Sequence, residues 1–153
     1  MKTNFPHLTQ QLSKKIQNYS DEKMDFRRRM IKNLHYLSTM NDDIVSEIIC
    51  NLEVKRYAKG QIILKNGDIS DHLMFISEGE IDIKVTKEVS QEVEITEENE
   101  LFFDFLNAGS CFCTYSFMCD DAQQLMKFVA KTDCIVESIS REDFFLIAKR
   151  FYQ

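Results

Sequence analysis

The stretch Asn107 to Met118, NAGSCFCTYSFM, gathers the residue types in this chain best able to do chemistry. Cys111 and Cys113 flank Phe112, and a third thiol, Cys119, follows directly. A thiol behind Gly-Ser can act as a nucleophile. Two thiols one residue apart can form a redox pair, and several can contribute to a zinc site. A glycine turn entering a short helix can also present backbone N–H groups to a phosphate. A nucleophilic cysteine of the Gly-Ser-Cys-aromatic type needs a histidine and an asparagine far downstream, yet His7, His35 and His72 all precede Cys111. That reading fails unless a partner chain supplies the base. A zinc site takes about four Cys or His ligands, and Cys111, Cys113 and Cys119 have no clear fourth. Redox sensing stays open, because a thiol near a helix N-terminus can have a lowered pKa. The plainer alternative, preferred here, is that small half-buried thiols fill space a ligand would otherwise occupy.

The remaining composition narrows the class. A chain of 153 residues with 44% hydrophobic content fits one compact domain with a helical extension. The net charge of −6 argues against a nucleic-acid module, where a basic face is the rule. No run of about 18 apolar residues is present, so nothing here is expected to span a membrane. The opening MKTNFPHLTQQLSKK lacks an apolar signal region. With five scattered cysteines, this favours free thiols in a reducing compartment. Cys50 and Cys134 sit in apolar patterns and read as core residues. The run Arg27 to Arg29 reads as a solvated helix face, Asp120 and Asp121 as a loop, His72 as a turn or strand edge, and Met30, Met40 and Met74 as core filler. None of these forms a catalytic site, and the chain is read as non-enzymatic.

Helices, a set of short strands and a closing helix must position the Cys-Phe-Cys segment. Leu8, Leu12, Ile16 and Tyr19 recur on one helix face, and DEKMDFRRRMIKNLHYLSTM repeats the pattern with Met30, Ile31, Leu34 and Leu37. NDDIVSEIICNL begins with Asn41 as N-cap and carries Ile44, Ile48, Ile49 and Leu52 as an apolar stripe. The period then changes. QIILK, HLMFIS, EIDIKVT, VEIT, LFFDFL, FVAK and CIVESI are short, β-branched or aromatic runs, in the rhythm of about eight strands. The acidic KEVSQEVEITEENE reads as an exposed hairpin. Gly60, Gly67, Gly79 and Gly109 all fall at strand boundaries, where the backbone turns through positive φ. Ser140 and Asp143 form an S-x-x-D cap ahead of a closing helix with Phe144, Phe145, Ile147, Ala148 and Phe151. The fold class is α+β: N-terminal helices, an eight-stranded antiparallel jelly-roll-like β-roll, a short helix in the Cys-Phe-Cys segment and a C-terminal helix. Residues 1–40 read as a helical lead-in and 41–153 as the roll domain.

YAKGQIILKNGDISDHLMFISEGEIDI resembles the first half of the cyclic nucleotide-binding domain family. Gly60, Ile62, Gly67, Asp68, Phe75, Ile76, Gly79, Ile81 and Ile83 follow its pattern in register, and FVAKTDCIVESISREDF resembles its last strands and second helix. Residues 5–40 resemble, more loosely, the helical segment feeding this domain in cyclic-nucleotide-gated and voltage-gated cation channels. In the family a phosphate-binding cassette, F-G-E-x-A-L-L, is followed by an arginine about eight residues before a threonine. A short helix N-terminus and that arginine hold the cyclic phosphate, and the glutamate takes the ribose hydroxyl.

Laid onto this chain, the resemblance places Gly109 at the turn, Phe112 at Phe, Cys113 at Gly and Thr114 at Glu, with Tyr115 and Ser116 following. Counting back from Thr132 puts Gln124 at the arginine position. The frame survives while the ligand-reading glycine, glutamate and arginine are replaced. Lys127 reads as pointing outward. The family's lid helix over the base would follow Gln153. The resemblance therefore implies a regulatory module of a larger protein, with a cation or potassium channel as parent. It would lie at the cytoplasmic face of a membrane, attached only through other parts of the parent, and meet the parent's other domains or subunits, in a homo-oligomer. cAMP or cGMP is the implied ligand, bound weakly or not at all. The alternatives are a divergent working nucleotide sensor, of channel or kinase-regulatory type, and a redox module using Cys111 and Cys113.

Overall fold

The computed structural model describes residue 10 and residues 21–86 and 100–151. Within them, helix α1 (residues 21–32) and helix α2 (Asp42–Cys50) precede the roll. Asn41 caps α2 as expected, its side-chain oxygen accepting from the Asp43 N–H at 2.8 Å, and Asp42 and Asp43 lie in the first turn, where the helix dipole favours negative charge. The apolar pattern after Ile31 does not continue α1. Residues 33–40 instead form a series of turns, and Leu37 within them is buried in the core between the helices and the first sheet.

Eight strands follow among the described residues: β1 (Glu53–Tyr57), β2 (Ile62–Leu64), β3 (His72–Glu78), β4 (Ile81–Thr86), β5 (Glu100–Leu106), β6 (Cys111–Phe112), β7 (Lys127–Ala130) and β8 (Cys134–Ser140). A five-residue helix, α3 (Thr114–Met118), lies between β6 and β7, and α4 (Arg141–Phe151) closes the chain. The strands form two antiparallel four-stranded sheets, ordered β1-β8-β3-β6 and β2-β7-β4-β5. Helices at both ends of an antiparallel roll match the α+β architecture expected from the sequence. VEIT falls outside the described residues, as does the helical pattern of Leu8 to Tyr19 apart from Gln10. β1 and β6 were not among the expected strands.

Two cores form. Between the sheets, Leu64, Ile76, Ile81, Ile83, Phe112, Phe128, Ala130, Cys134 and Val136 pack together. On the other side of the first sheet, Leu73, Phe75 and Ile139 meet Met30 and Ile31 of α1, Ile44, Val45, Ile48 and Ile49 of α2, Phe117, and Phe144 and Ile147 of α4. Strand alternation supplies both: β3 sends Leu73 and Phe75 toward the helices and Ile76 into the roll. Two expectations change here. Cys50 is exposed at the end of α2, because the apolar stripe of that helix passes through Ile48 and Ile49 instead. The arginine run is not simply solvated. Arg27 pairs with the buried Glu137 of β8, and Arg28 donates to Ser46 Oγ at 2.7 Å, whereas Arg29 faces solvent.

Gly79 shows why one of the turns needs glycine. Its φ is +92°, and a Cβ there would lie 2.4 Å from the Asp133 carbonyl oxygen and 2.8 Å from Cys134 Sγ. Both the left-handed backbone and the space exclude a side chain.

Candidate functional site

The Cys-Phe-Cys segment is built as a strand, a left-handed residue and one helical turn. Gly109 turns at φ +91° and its N–H donates to the Ile76 carbonyl at 2.7 Å, pinning the turn to β3. β6 then pairs with β3, Phe112 opposite Met74. Phe112 points into the roll and stacks on Phe128 with ring centroids 5.0 Å apart. Cys113 follows at φ 65° and ψ 23°, the left-handed conformation that glycine adopts freely and a thiol side chain does not. α3 starts directly after it.

Cys113, Thr114, Tyr115 and Ser116 form one wall of a cleft of about 240 Å³, and Gln123, Gln124, Leu125, Met126 and Phe128 form the other. Five of the seven site residues named from the sequence (Cys113, Thr114, Tyr115, Ser116 and Gln124) therefore come together. Phe112 supports the cleft from inside the roll, and Gly109 lies away from it beside α1. Ser116 is buried, donates to the Cys113 carbonyl at 3.1 Å and accepts from Gln124 Nε2 at 2.7 Å. Gln124, 8% exposed, is held at both ends. Its backbone N–H donates to the Asp68 carbonyl at 2.8 Å, and its carbonyl accepts from Gly67 N–H at 2.8 Å. The Gly67-Asp68 turn, expected as a strand boundary and as part of the resemblance, thus fixes the loop that carries Gln124.

None of the described residues lining this cleft carries a positive charge. Lys127 turns away as expected and pairs with Glu100 at 2.8 Å. Burial pushes the Cys113 thiol up to about 12, a hydrogen bond with Ser116 opposing the shift only in part, and burial raises Cys111 further still. Thiols held protonated in this way are poor nucleophiles and poor redox sensors at neutral pH, and the α3 N-terminus does not offset the burial. Among the described residues no group of three or more Cys, His, Asp or Glu gathers as a metal site, and no helix is long and apolar enough to cross a membrane.

Sequence reasoning missed Arg141, the first residue of α4. Its Nε donates to the Phe117 carbonyl and its Nη2 to the Ser116 carbonyl, both at 2.6 Å, and Nη2 also reaches the Cys119 carbonyl at 3.2 Å. Nη1 pairs with Asp120. Arg141 therefore caps the open carbonyls of α3 and ties the cassette to the closing helix. The S-x-x-D signal marked the position of this helix start, with Asp143 N–H donating to Ser140 Oγ at 3.1 Å, but not the reach of the arginine between them.

Comparison with known proteins places this arrangement. No curated protein matches the chain by sequence. Among solved structures, a cyclic nucleotide-binding-like protein from Brucella abortus bv. 1 str. 9-941 is similar at TM-score 0.66 and 17% identity, over 80% of this chain and 97% of that one. PfPKA-R with cAMP bound is similar at TM-score 0.69 and 22% identity, over 86% of this chain and 46% of that one. The Catabolite Activator Protein of Thermus thermophilus is similar at TM-score 0.59 and 19% identity, over 74% of this chain and 49% of that one. The chain thus spans about half the length of the last two, and at these identities the likeness concerns the fold. The family model described as the cyclic nucleotide-binding domain matches residues 54–151, from β1 to the end of α4. With the roll, the cassette helix and the closing helix in that order, this chain belongs to the cyclic nucleotide-binding domain family.

Proposed function

We propose that this domain is a regulatory module whose cassette is closed by its own side chains, so that cAMP and cGMP bind weakly or not at all. The carrying observation is the hydrogen bond from Gln124 Nε2 to Ser116 Oγ, 2.7 Å long, across a cleft with no cationic lining. A cyclic phosphate entering there would meet an amide already committed to a neighbour. Hydrogen bonds to charged partners contribute about 1.5–3 kcal/mol each, so replacing an arginine by this glutamine costs roughly ten- to a hundredfold in affinity. The cleft volume of about 240 Å³ also lies below the range of roughly 300–1,000 Å³ usual for ligand pockets. The roll then serves as a structural or protein-contact element of a larger protein.

A cation channel is the parent we favour, on the resemblance of residues 5–40 to a channel lead-in. In that setting the domain lies at the cytoplasmic face of a membrane and contacts the other subunits of a homo-oligomer. Calorimetry with cAMP and cGMP on the full-length parent tests the closed cassette. Low-micromolar or tighter binding overturns it.

A second reading, a divergent working sensor, draws on Thr114 lining the cleft and on PfPKA-R having been solved with cAMP bound. Gln124→Arg separates the two. A large gain from a measurable baseline supports the sensor, and no gain supports the closed cassette.

A further inference from the structure

A second cleft lies on the far side of the first sheet, sharing no residue with the cassette cleft. Its volume is about 250 Å³. Glu22, Lys23 and Phe26 of α1 form one wall, and Ser77, Glu78, Ile135 and Glu137 form the other. Glu137 is 1% exposed. Its Oε1 accepts from Arg27, with Nε at 2.8 Å, while Oε2 is buried with no donor in hydrogen-bonding distance among the described residues. The nearest hydroxyl in the lining is already spent, because Ser77 Oγ donates to the Ile135 carbonyl at 3.2 Å. A buried carboxylate oxygen is strongly in need of a donor. Glu22 and Glu78 also line the cleft, neither in an ion pair among the described residues, and Lys23 is the one cation among the described lining residues.

We propose that this cleft between α1 and the roll binds a primary ammonium group on a short apolar stem. A small turn of the Glu137 side chain toward the cleft brings Oε2 to the ammonium, which donates to it; the rim carboxylates of Glu22 and Glu78 add attraction, and the stem lies along Phe26 and Ile135. The space equals about eight water volumes at roughly 30 Å³ each, room for an ammonium on a stem of about four carbons with water beside it. That chemistry belongs both to a free alkylamine and to a lysine side chain. An occupant bridges α1 and β8, and so steadies the lead-in helix on the roll.

The test is an amide-shift titration of the chain with n-butylammonium and, separately, with Nα-acetyl-lysine amide; butyrate serves as the charge-reversed control. Saturable shifts at residues 22–26, 77–78 and 135–137 with either cation, and none with butyrate, are expected. The tighter of the two cations names the source. Glu137→Gln should weaken binding about tenfold or more, and Glu78→Gln, a rim change that leaves the Arg27 pair intact, about two- to threefold. No saturable shift with either cation, equal shifts with butyrate, or unchanged binding in a folded Glu137→Gln or Glu78→Gln variant overturns the proposal.

Discussion

Arg141 Nε donates to the Phe117 carbonyl at 2.6 Å, so the first residue of the closing helix holds the last turn of the cassette helix. A five-residue helix cannot sustain itself in water, because nucleation costs more than one turn returns. α3 therefore depends on this guanidinium and on the burial of Phe117 against Phe144, whose rings meet edge to face at 5.2 Å. Arg141→Met should destabilise the domain by about 2–3 kcal/mol in denaturant unfolding and speed hydrogen exchange at residues 117–119. Arg141→Lys should recover less than half of that loss, because an ammonium lacks the planar fork that reaches several carbonyls at once.

Cys113 stands in a left-handed conformation that costs a residue with a Cβ about 1–2 kcal/mol. Cys113→Gly removes the strain, and Cys113→Ala keeps it. Both lose the thiol contacts. The glycine variant should therefore be the more stable of the two, by about 1 kcal/mol in matched thermal or denaturant melts.

Gly79 and Gly60 share positive φ, at +92° and +85°, but differ in surroundings, since nothing lies within 4 Å of a Cβ built at Gly60. Gly60→Ala should cost about 1 kcal/mol from backbone strain alone. Gly79→Ala must also displace the Asp133 carbonyl, and should cost about 3 kcal/mol or more.

The thiols give a prediction in pH. Cys113 is raised from near 9 to about 12 in the folded state. A thiol whose pKa is raised on folding favours the folded state fully below the unfolded value, and that contribution fades as pH climbs toward the folded value. Stability should hold up to about pH 9 and fall progressively between pH 9 and 12, a fall that Cys113→Ser makes shallower. At pH 8 an alkylating reagent should label the exposed Cys50 well before Cys111 or Cys113. Fast labelling of Cys111 or Cys113 would favour the redox reading.

Sequence legibility followed the range of each interaction. The glycine turns, the Asn41 cap and the S-x-x-D start of α4 are set within a few residues, and each was readable. β1 was not. EVKRY is an edge strand, almost wholly exposed, so no alternation of apolar residues marks it. β6 has only two residues, too few to show a period. Arg27 read as a solvated charge because its partner, Glu137, lies 110 residues away. In the cassette, family resemblance located the frame, but the bond between Gln124 and Ser116 depends on how the Gly67-Asp68 turn fixes the loop. No local pattern carries that.

The β3–β8 pair gives side chains alternately to two cores, Leu73, Phe75 and Ile139 to the helices and Ile76, Cys134 and Val136 to the roll. A slip of one residue between these strands would exchange the contents of both compartments. The shared sheet is thus a partition whose register is fixed from both faces at once.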